Sequence, residues 1–277
     1  MVERTTVLET PALHVELLRC ALGRGPTEET YTTRRQVMFP LSGTFRWHVG
    51  RSVMLCDPNQ VMFVETNEAS FDTATQPGIV TCLLATVSDA TARRLWRTAT
   101  AFRKRTAIAS ARLQARYAWF ASAAQNDALW EQHALELVAS ATDAAIGAAP
   151  APAPAAAIRL ATRAKDLLGD RGRLLGLGEL AEKLDVSPAY LTDAFRRAAG
   201  IPIVRYQLRL RLMRAMRELP HASDLTALAL ELGFSSHSHF STAFRVATGL
   251  TPSQYRETAR RGDAIERIRK RSRVASR

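Results

Sequence analysis

Apolar positions change their spacing twice along the 277 residues. From about Leu13 to Val87 they fall in short, strand-sized runs: His14–Ala21, Gln36–Pro40, Thr44–Val49, Ser52–Cys56, Gln60–Val64 and Ile79–Thr86. Turn formers break the runs at Gly23-Arg24-Gly25-Pro26, Leu41-Ser42-Gly43, Gly50-Arg51, Asp57-Pro58-Asn59 and Gln76-Pro77-Gly78. Many short strands at close spacing predict a sandwich or small barrel. From Ala90 to Ile146 the spacing turns helical, with Leu95, Trp96, Phe102, Leu113, Tyr117, Phe120, Leu129, Leu135, Leu137 and Val138 as candidate core, and predicts two or three helices.

Past residue 157 nearly everything reads as helix. Ile158–Leu168 repeats apolar residues at 158, 160, 161, 164, 167 and 168. Leu177–Leu184 follows, then a turn at Asp185-Val186-Ser187, where Ser187 is a good cap and Pro188 suits the first helical position. The helix from Pro188 to Ala199 places Leu191, Ala194, Phe195 and Ala198 inward, and Gly200 stops it. A longer helix from Ile203 to Leu219 carries a stripe of Val204, Leu208, Leu212, Ala215, Met216 and Leu219, with Arg205, Arg209, Arg214 and Arg217 opposite. Pro220 ends it. Asp224 caps Leu225–Leu232, and Gly233 permits a left-handed turn. A last core helix spans Ser236–Thr248, with Phe240, Phe244 and Ala247 inward and Gly249 beyond it.

Between the halves lies Gly147-Ala148-Ala149-Pro150-Ala151-Pro152-Ala153-Pro154-Ala155-Ala156-Ala157, whose alternating prolines predict a semi-rigid spacer that lets the halves reorient. The expected division is a sensor or dimerisation domain at 1–147, a linker at 148–157, a second domain at 158–258 and a basic tail at 259–277. Charge follows it. Of the net +12, residues 1–150 hold 15 Lys and Arg against 14 Asp and Glu, while residues 151–277 hold 23 against 12. The second half therefore suits a polyanionic partner. Cys20, Cys56 and Cys82 sit at no metal-like spacing, and no run approaches the ~20 apolar residues of a membrane helix. With no apolar run behind the N-terminal charges, a cytoplasmic protein with reduced thiols and no membrane partner is expected.

From about Leu174 to Arg256 the chain resembles the paired helix-turn-helix domain of AraC/XylS-type transcription regulators. The residues that carry the likeness are Leu180-Ala181, Ser187-Pro188, Leu191, Phe195, Gly200, Tyr206, Arg211, Ala215 and Leu219 in the first unit and connecting helix. In the second they are Ala229, Gly233-Phe234, His239-Phe240, Phe244-Arg245, Gly249, Thr251-Pro252 and Tyr255-Arg256. The resemblance implies that each unit lays its second helix in a major groove of double-stranded DNA. A connecting helix of about 17 residues spans roughly 25 Å, which with its turns sets two reading helices about one DNA turn apart. The side chains it points to the duplex are Ala189, Tyr190, Thr192, Asp193, Arg196 and Arg197, then Ser236, His237, Ser238, Thr242 and Arg245. Asp193 either accepts from a cytosine amino group or pairs with Arg197 four residues on. His237 and His239 lie about 200° apart on a helix and cannot share a metal ion easily, so His237 goes to DNA and His239 to packing or a hydrogen bond.

The first half resembles, by strand texture and domain order, the cupin-like sensor barrel that often precedes this DNA-binding domain. The fold class expected is thus α+β with two domains, a small β-barrel with following helices and an all-α double helix-turn-helix. The likeness implies a small organic effector, for which Phe39, Phe45, Trp47, Phe63 and Phe71 are candidate lining residues and also candidate plain core. It implies a homodimer through the helices at 110–146, whose apolar faces would serve equally in packing onto the barrel. RNA polymerase is a partner if the regulator is an activator. The strand region has only His14 and His48, far apart, so no metal, cofactor or catalytic group is expected. Two alternatives stand beside the effector-controlled regulator: a regulator with a purely structural barrel, and a cupin-type enzyme with a basic appendage.

Overall fold

The computed structural model describes residues 2–96, 100–122, 128–146, 153–169 and 175–261. Among the described residues nine antiparallel strands lie in the first half: β1 Val2–Glu9, β2 Leu13–Leu22, β3 Gln36–Ser42, β4 Phe45–Val49, β5 Ser52–Cys56, β6 Gln60–Val64, β7 Ser70–Ala74, β8 Gly78–Val87 and, after two helices, β9 Thr106–Ile108. They form two sheets, ordered β1-β2-β8-β3-β6-β9 and β5-β4-β7. The expected barrel is therefore not closed; a small sheet faces one side of a large one. The large sheet is apolar on both faces. Leu22, Met62, Val64, Val80 and Cys82 join Phe45 and Trp47 of the small sheet in one core. Val15, Val37, Phe39, Val61, Phe63, Leu83 and Ala85 join a second core with the helices behind. This double burial explains why β6 is buried at all five positions and reads as a continuous apolar run.

Three strands escaped the sequence pattern: β1, β7 and β9. β1 is almost wholly exposed at the sheet's edge, and β7 is short and polar enough, as Ser-Phe-Asp-Thr-Ala, to pass for a loop. Among the described residues the helical stretch holds four helices rather than two or three: α1 Asp89–Leu95, α2 Thr100–Lys104, α3 Ala111–Ser122 and α4 Ala128–Ile146. Leu129, expected in the core, is exposed.

The second half contains α5 Ala155–Leu168, α6 Leu177–Lys183, α7 Pro188–Ala199, α8 Ile203–Glu218, a 3-10 turn Leu219–His221, α9 Leu225–Glu231, α10 His237–Thr248 and α11 Pro252–Arg261. The predicted linker is shortened, because α5 begins at Ala155 with Pro154 ahead of it; its residues 148–152 lie outside the described residues. α11 runs past the expected boundary at 258, and the tail from 262 onward is likewise outside them. Two stripes rotate from expectation. On α5, Ile158 is 49% exposed while Lys165 is buried. On α8, Val204 is exposed while Ile203, Tyr206, Gln207 and Met213 are buried. A two-sided environment causes both shifts, since these helices pack on the first half as well as on their own units.

The two units share one local plan. Ser187 accepts from the Tyr190 N–H and Ser236 from the His239 N–H, capping α7 and α10. Val186 N–H donates to Ala181 C=O at 3.1 Å, as Phe234 N–H donates to Ala229 C=O at 3.0 Å. The residue before each lies in the left-handed region, Asp185 at φ 56 and Gly233 at φ 75. A β-branched residue is costly there, so Gly233→Val should destabilise the second unit by about 2 kcal/mol or more. Thermal unfolding followed by circular dichroism reads this directly, and an unshifted midpoint would show that the turn tolerates a side chain.

The halves are not independent bodies on a spacer. α3 packs against α8 and α10, and one buried core runs from Val37 and Tyr117 through Trp119 to Met216, Phe240 and Tyr255. The Asp57-Pro58-Asn59 turn is the hub. Pro58 C=O accepts from Tyr117 Oη and Gln114 Nε2, each at 2.7 Å. Asn59 Nδ2 reaches Tyr206 C=O at 3.5 Å, and Asp57 faces Lys165 at 3.8 Å. Further ties are Arg209 Nη1 to Ala109 C=O at 2.8 Å and Arg46 to Asp166 at 2.6 Å. At the end of α5, Gly169 sits so near Thr44 that an added Cβ would lie 2.0 Å from its hydroxyl.

Candidate nucleic-acid interface and ligand cavity

The helices expected to read DNA present their polar sides outward. On α7, Leu191, Ala194 and Phe195 point into a core with Tyr206. That leaves Ala189, Tyr190, Asp193, Arg196 and Arg197 exposed and Thr192 half-buried. On α10, Phe240 and Phe244 point inward. Ser236, Ser238, Thr242 and Arg245 are exposed and His237 is half-buried. Val246, exposed on the same helix, was not anticipated; nothing in its sequence context separates it from a core valine. Packing of α3 against α10 therefore does not cover the outward side chains.

Several of these groups are already engaged. Asp193 takes both ends of the Arg197 guanidinium, at 3.1 Å from Nε and 2.7 Å from Nη2. Of its two expected roles, the i,i+4 pair is the one formed in the free protein. Both side chains are more than half exposed, so the pair contributes little and opens readily. Thr192 Oγ1 donates back to Pro188 C=O at 2.8 Å. His239 is exposed, shares a hydrogen bond with Ser235 Oγ at 3.1 Å and meets the Phe234 ring edge-on. His237 Nε2 is 3.4 Å from Ser241 Oγ. Among the described residues no group of three His, Cys, Asp or Glu is placed to hold a metal.

A cavity of about 810 Å³ opens between the two sheets. β4 and β7 pair Phe45 with Ala74, Trp47 with Asp72 and Val49 with Ser70. The cavity borders include Phe45, Trp47, Ser70 and Asp72, with Cys20, Met38 and Cys82 from the large sheet. The intervening His48 and Phe71 form the other cross-strand face, stacked at 4.4 Å.

Of the five aromatic residues expected to line an effector site, only Phe45 and Trp47 border this cavity. Phe39 and Phe63 lie on the far face of the large sheet, against Tyr117 at 5.2 Å and Phe102 at 5.6 Å. Phe71 is turned the other way by strand alternation. Asp72 was missed because its parity with Trp47 is visible only once the strands pair. Burial raises its carboxyl to about 6. It also pushes up the thiols of Cys20 and Cys82, with the Asp72 charge adding to both.

A second cleft of about 460 Å³ separates the sheets from α5 and α8, bordered by Arg19, Leu41, Leu175, Arg211, Met213 and Arg214. Arg211 donates to Gly233 C=O at 3.1 Å, and Arg214 pairs with Glu218 at 2.7 Å.

A family model described as a helix-turn-helix domain matches residues 180–258. The HTH-type transcriptional regulator ArgR of Pseudomonas aeruginosa is 37% identical over 89 residues, covering 32% of this chain and 27% of that protein. A solved transcriptional regulator from Chromobacterium violaceum, described as containing AraC-type DNA-binding domains, is 30% identical. That alignment covers 38% of this chain and 96% of the other, with a TM-score of 0.34. ToxT from Vibrio cholerae aligns over 89% of this chain and 98% of its own, at 12% identity and a TM-score of 0.35. The chain spans only about a quarter to a third of the length of the curated relatives it matches. Residues 180–258, which hold the two capped turn-helix units, are a helix-turn-helix domain of the AraC type.

Proposed function

We propose that the protein regulates transcription by binding a specific site on double-stranded DNA, with α7 and α10 entering successive major grooves and a ligand held between the sheets modulating that binding. One observation carries the reading: two units of the same local plan are joined by a single 16-residue helix, each with its polar side outward. Such a helix is about 24 Å long, and with the flanking turns it suits one turn of B-DNA. On this reading Arg196, Arg197 and Arg245 contact phosphates or guanine edges. Ala189, Tyr190, Thr192, Ser236, His237, Ser238 and Thr242 meet bases and sugars, and Asp193 exchanges Arg197 for the duplex.

On this reading the second half, from α5 at Ala155 to α11 at Arg261, is the DNA-binding part, but its second unit shares a core with α3, so the intact chain is the species to test. That sharing also moves any homodimer contact away from α3, onto the outer face of α4. Curated relatives are named as transcriptional regulators, which favours regulation over catalysis. A cavity of this size, with a buried carboxyl in it, favours an effector over a purely structural barrel.

Footprinting the full chain upstream of its own gene and its neighbours should find a protected site covering two adjacent major grooves. Arg196→Ala combined with Arg197→Ala should lower affinity for it by about 1–3 kcal/mol and flatten the salt dependence by roughly one to two phosphate contacts, with unchanged circular dichroism. Equal affinity for the site and for random duplex at moderate salt would refute the reading.

A further inference from the structure

The character of the inter-sheet cavity says which ligands suit it. Asp72 faces a wall of Leu18, Met38, Val80 and Leu84 with the thiols of Cys20 and Cys82. Its Oδ1 is buried and accepts no hydrogen bond. The other charged groups at the cavity do not neutralise it. Arg4 is turned to Glu16 at 3.1 Å, and Glu28 adds a second negative charge. Gln36, the amide at the border, already donates to Thr86 Oγ1 at 2.9 Å. A buried carboxyl of this kind is costly unless something pairs with it. Directly across the strand pair stands Trp47, with Phe45 two residues before it. An indole face beside a carboxylate is a pairing that binds ammonium groups twice over, by a charge-assisted hydrogen bond and by cation–π attraction.

We propose that this cavity takes an organic cation, a ligand with a flat apolar body and an ammonium group, in which Asp72 is the counter-ion and Trp47 the stacking surface. The proposal rests on the reading that the cavity is the effector site, and names the chemistry of that effector. Anionic ligands would meet two carboxylates and no free cation among the described residues. A polyol would meet threonine hydroxyls already engaged within the protein: Thr27 Oγ1 accepts from the Asp72 N–H, Thr30 Oγ1 donates to Ser70 C=O and Thr32 Oγ1 to Arg34 C=O.

A charge series on one scaffold tests it: tryptamine (cation), tryptophol (neutral) and indole-3-acetate (anion), titrated calorimetrically into the full chain at neutral pH. Tryptamine should bind at least about tenfold more tightly than tryptophol, the worth of one hydrogen bond to a charged group, and indole-3-acetate most weakly. Asp72→Asn should reduce the preference of tryptamine over tryptophol to about twofold or less. Trp47→Leu should weaken tryptamine more than tenfold. Tryptophol or indole-3-acetate binding as well as tryptamine, no binding by any of the three, or a preference that survives Asp72→Asn would each overturn the proposal.

DNA affinity measured on the footprinted site, with and without each compound, separates this from the effector reading. Tryptamine that binds at Asp72 without changing DNA affinity sinks the effector reading and leaves the cation site standing. Indole-3-acetate that binds and shifts DNA affinity does the reverse.

Discussion

Lys165→Met should cost the folded protein about 3–5 kcal/mol, the usual penalty for removing one member of a buried ion pair. Lys165 is 9% exposed and Asp57 1%, so the methionine leaves a carboxylate in a region water cannot reach. Asp57 Oδ1 still accepts from the Asn59 N–H at 2.7 Å, but Oδ2 has no hydrogen-bond partner even in the native protein. At 3.8 Å the ammonium supports it by charge rather than by a hydrogen bond. The effect should reach beyond the pair, because the same turn holds α3 through Pro58 and α8 through Asn59. Denaturant unfolding measures it. The exposed-side counterpart, Arg46→Ala, removes a pair about a third exposed on the arginine side and should cost about 1 kcal/mol or less. Lys165→Met with Asp57→Leu should recover much of the loss, since an apolar pair of similar size can replace a buried ionic one. Equal, small effects for Lys165→Met and Arg46→Ala would mean that the hub is not buried as described.

Asp72→Asn should work in the opposite direction on the ligand-free protein. The Asp72 carboxyl titrates at about 6 in the folded state against an ordinary 3.8, with burial as the cause. Well below pH 3.8 the group is protonated whether the chain is folded or not, and folding carries no penalty. Between 3.8 and about 6 the unfolded chain gives up the proton while the folded state holds it, so stability falls across that window; above 6 both states are ionised and the loss is complete. A shift of this size corresponds to roughly 3 kcal/mol at most. Unfolding free energies from pH 4 to pH 8 should therefore fall for the wild type by an amount that Asp72→Asn removes. Cys20 and Cys82, the other titrating groups at the cavity, keep their protons throughout this range because burial raises both. Arg4 and Glu28 are the other charged groups at the border. Parallel stability curves for the two proteins would show that Asp72 is solvated or already paired. A destabilising carboxyl retained beside an indole is what a ligand site needs, since the ligand rather than the protein completes it.

The double helix-turn-helix was legible because its signals are local. Ser187 and Ser236 cap helices, Gly200 and Gly249 stop them at φ 73 and 80, and Phe195, Phe240 and Phe244 recur at helical spacing; each acts within one turn of chain. Most inner strands were legible for the same reason. Edge strand β1 and the polar β7 were not, because little of β1 is buried and alternation alone cannot mark a strand that has no apolar face.

What the sequence by itself determined is the identity and order of helices α5 to α10 and the outward face of α7 and α10; α11 was not among its predicted helices. Capping, glycine conformation and 3.6-residue periodicity are decided by neighbours in the chain. Only the tertiary structure decided which aromatic residues face the cavity, that Asp72 stands opposite Trp47, that Ile158 is outside and Lys165 inside, and that the halves share one core across the Asp57 turn. Those facts depend on which strand pairs with which and on which surfaces meet. Such choices are made by the summed burial of residues tens to a hundred positions apart, which no local pattern records.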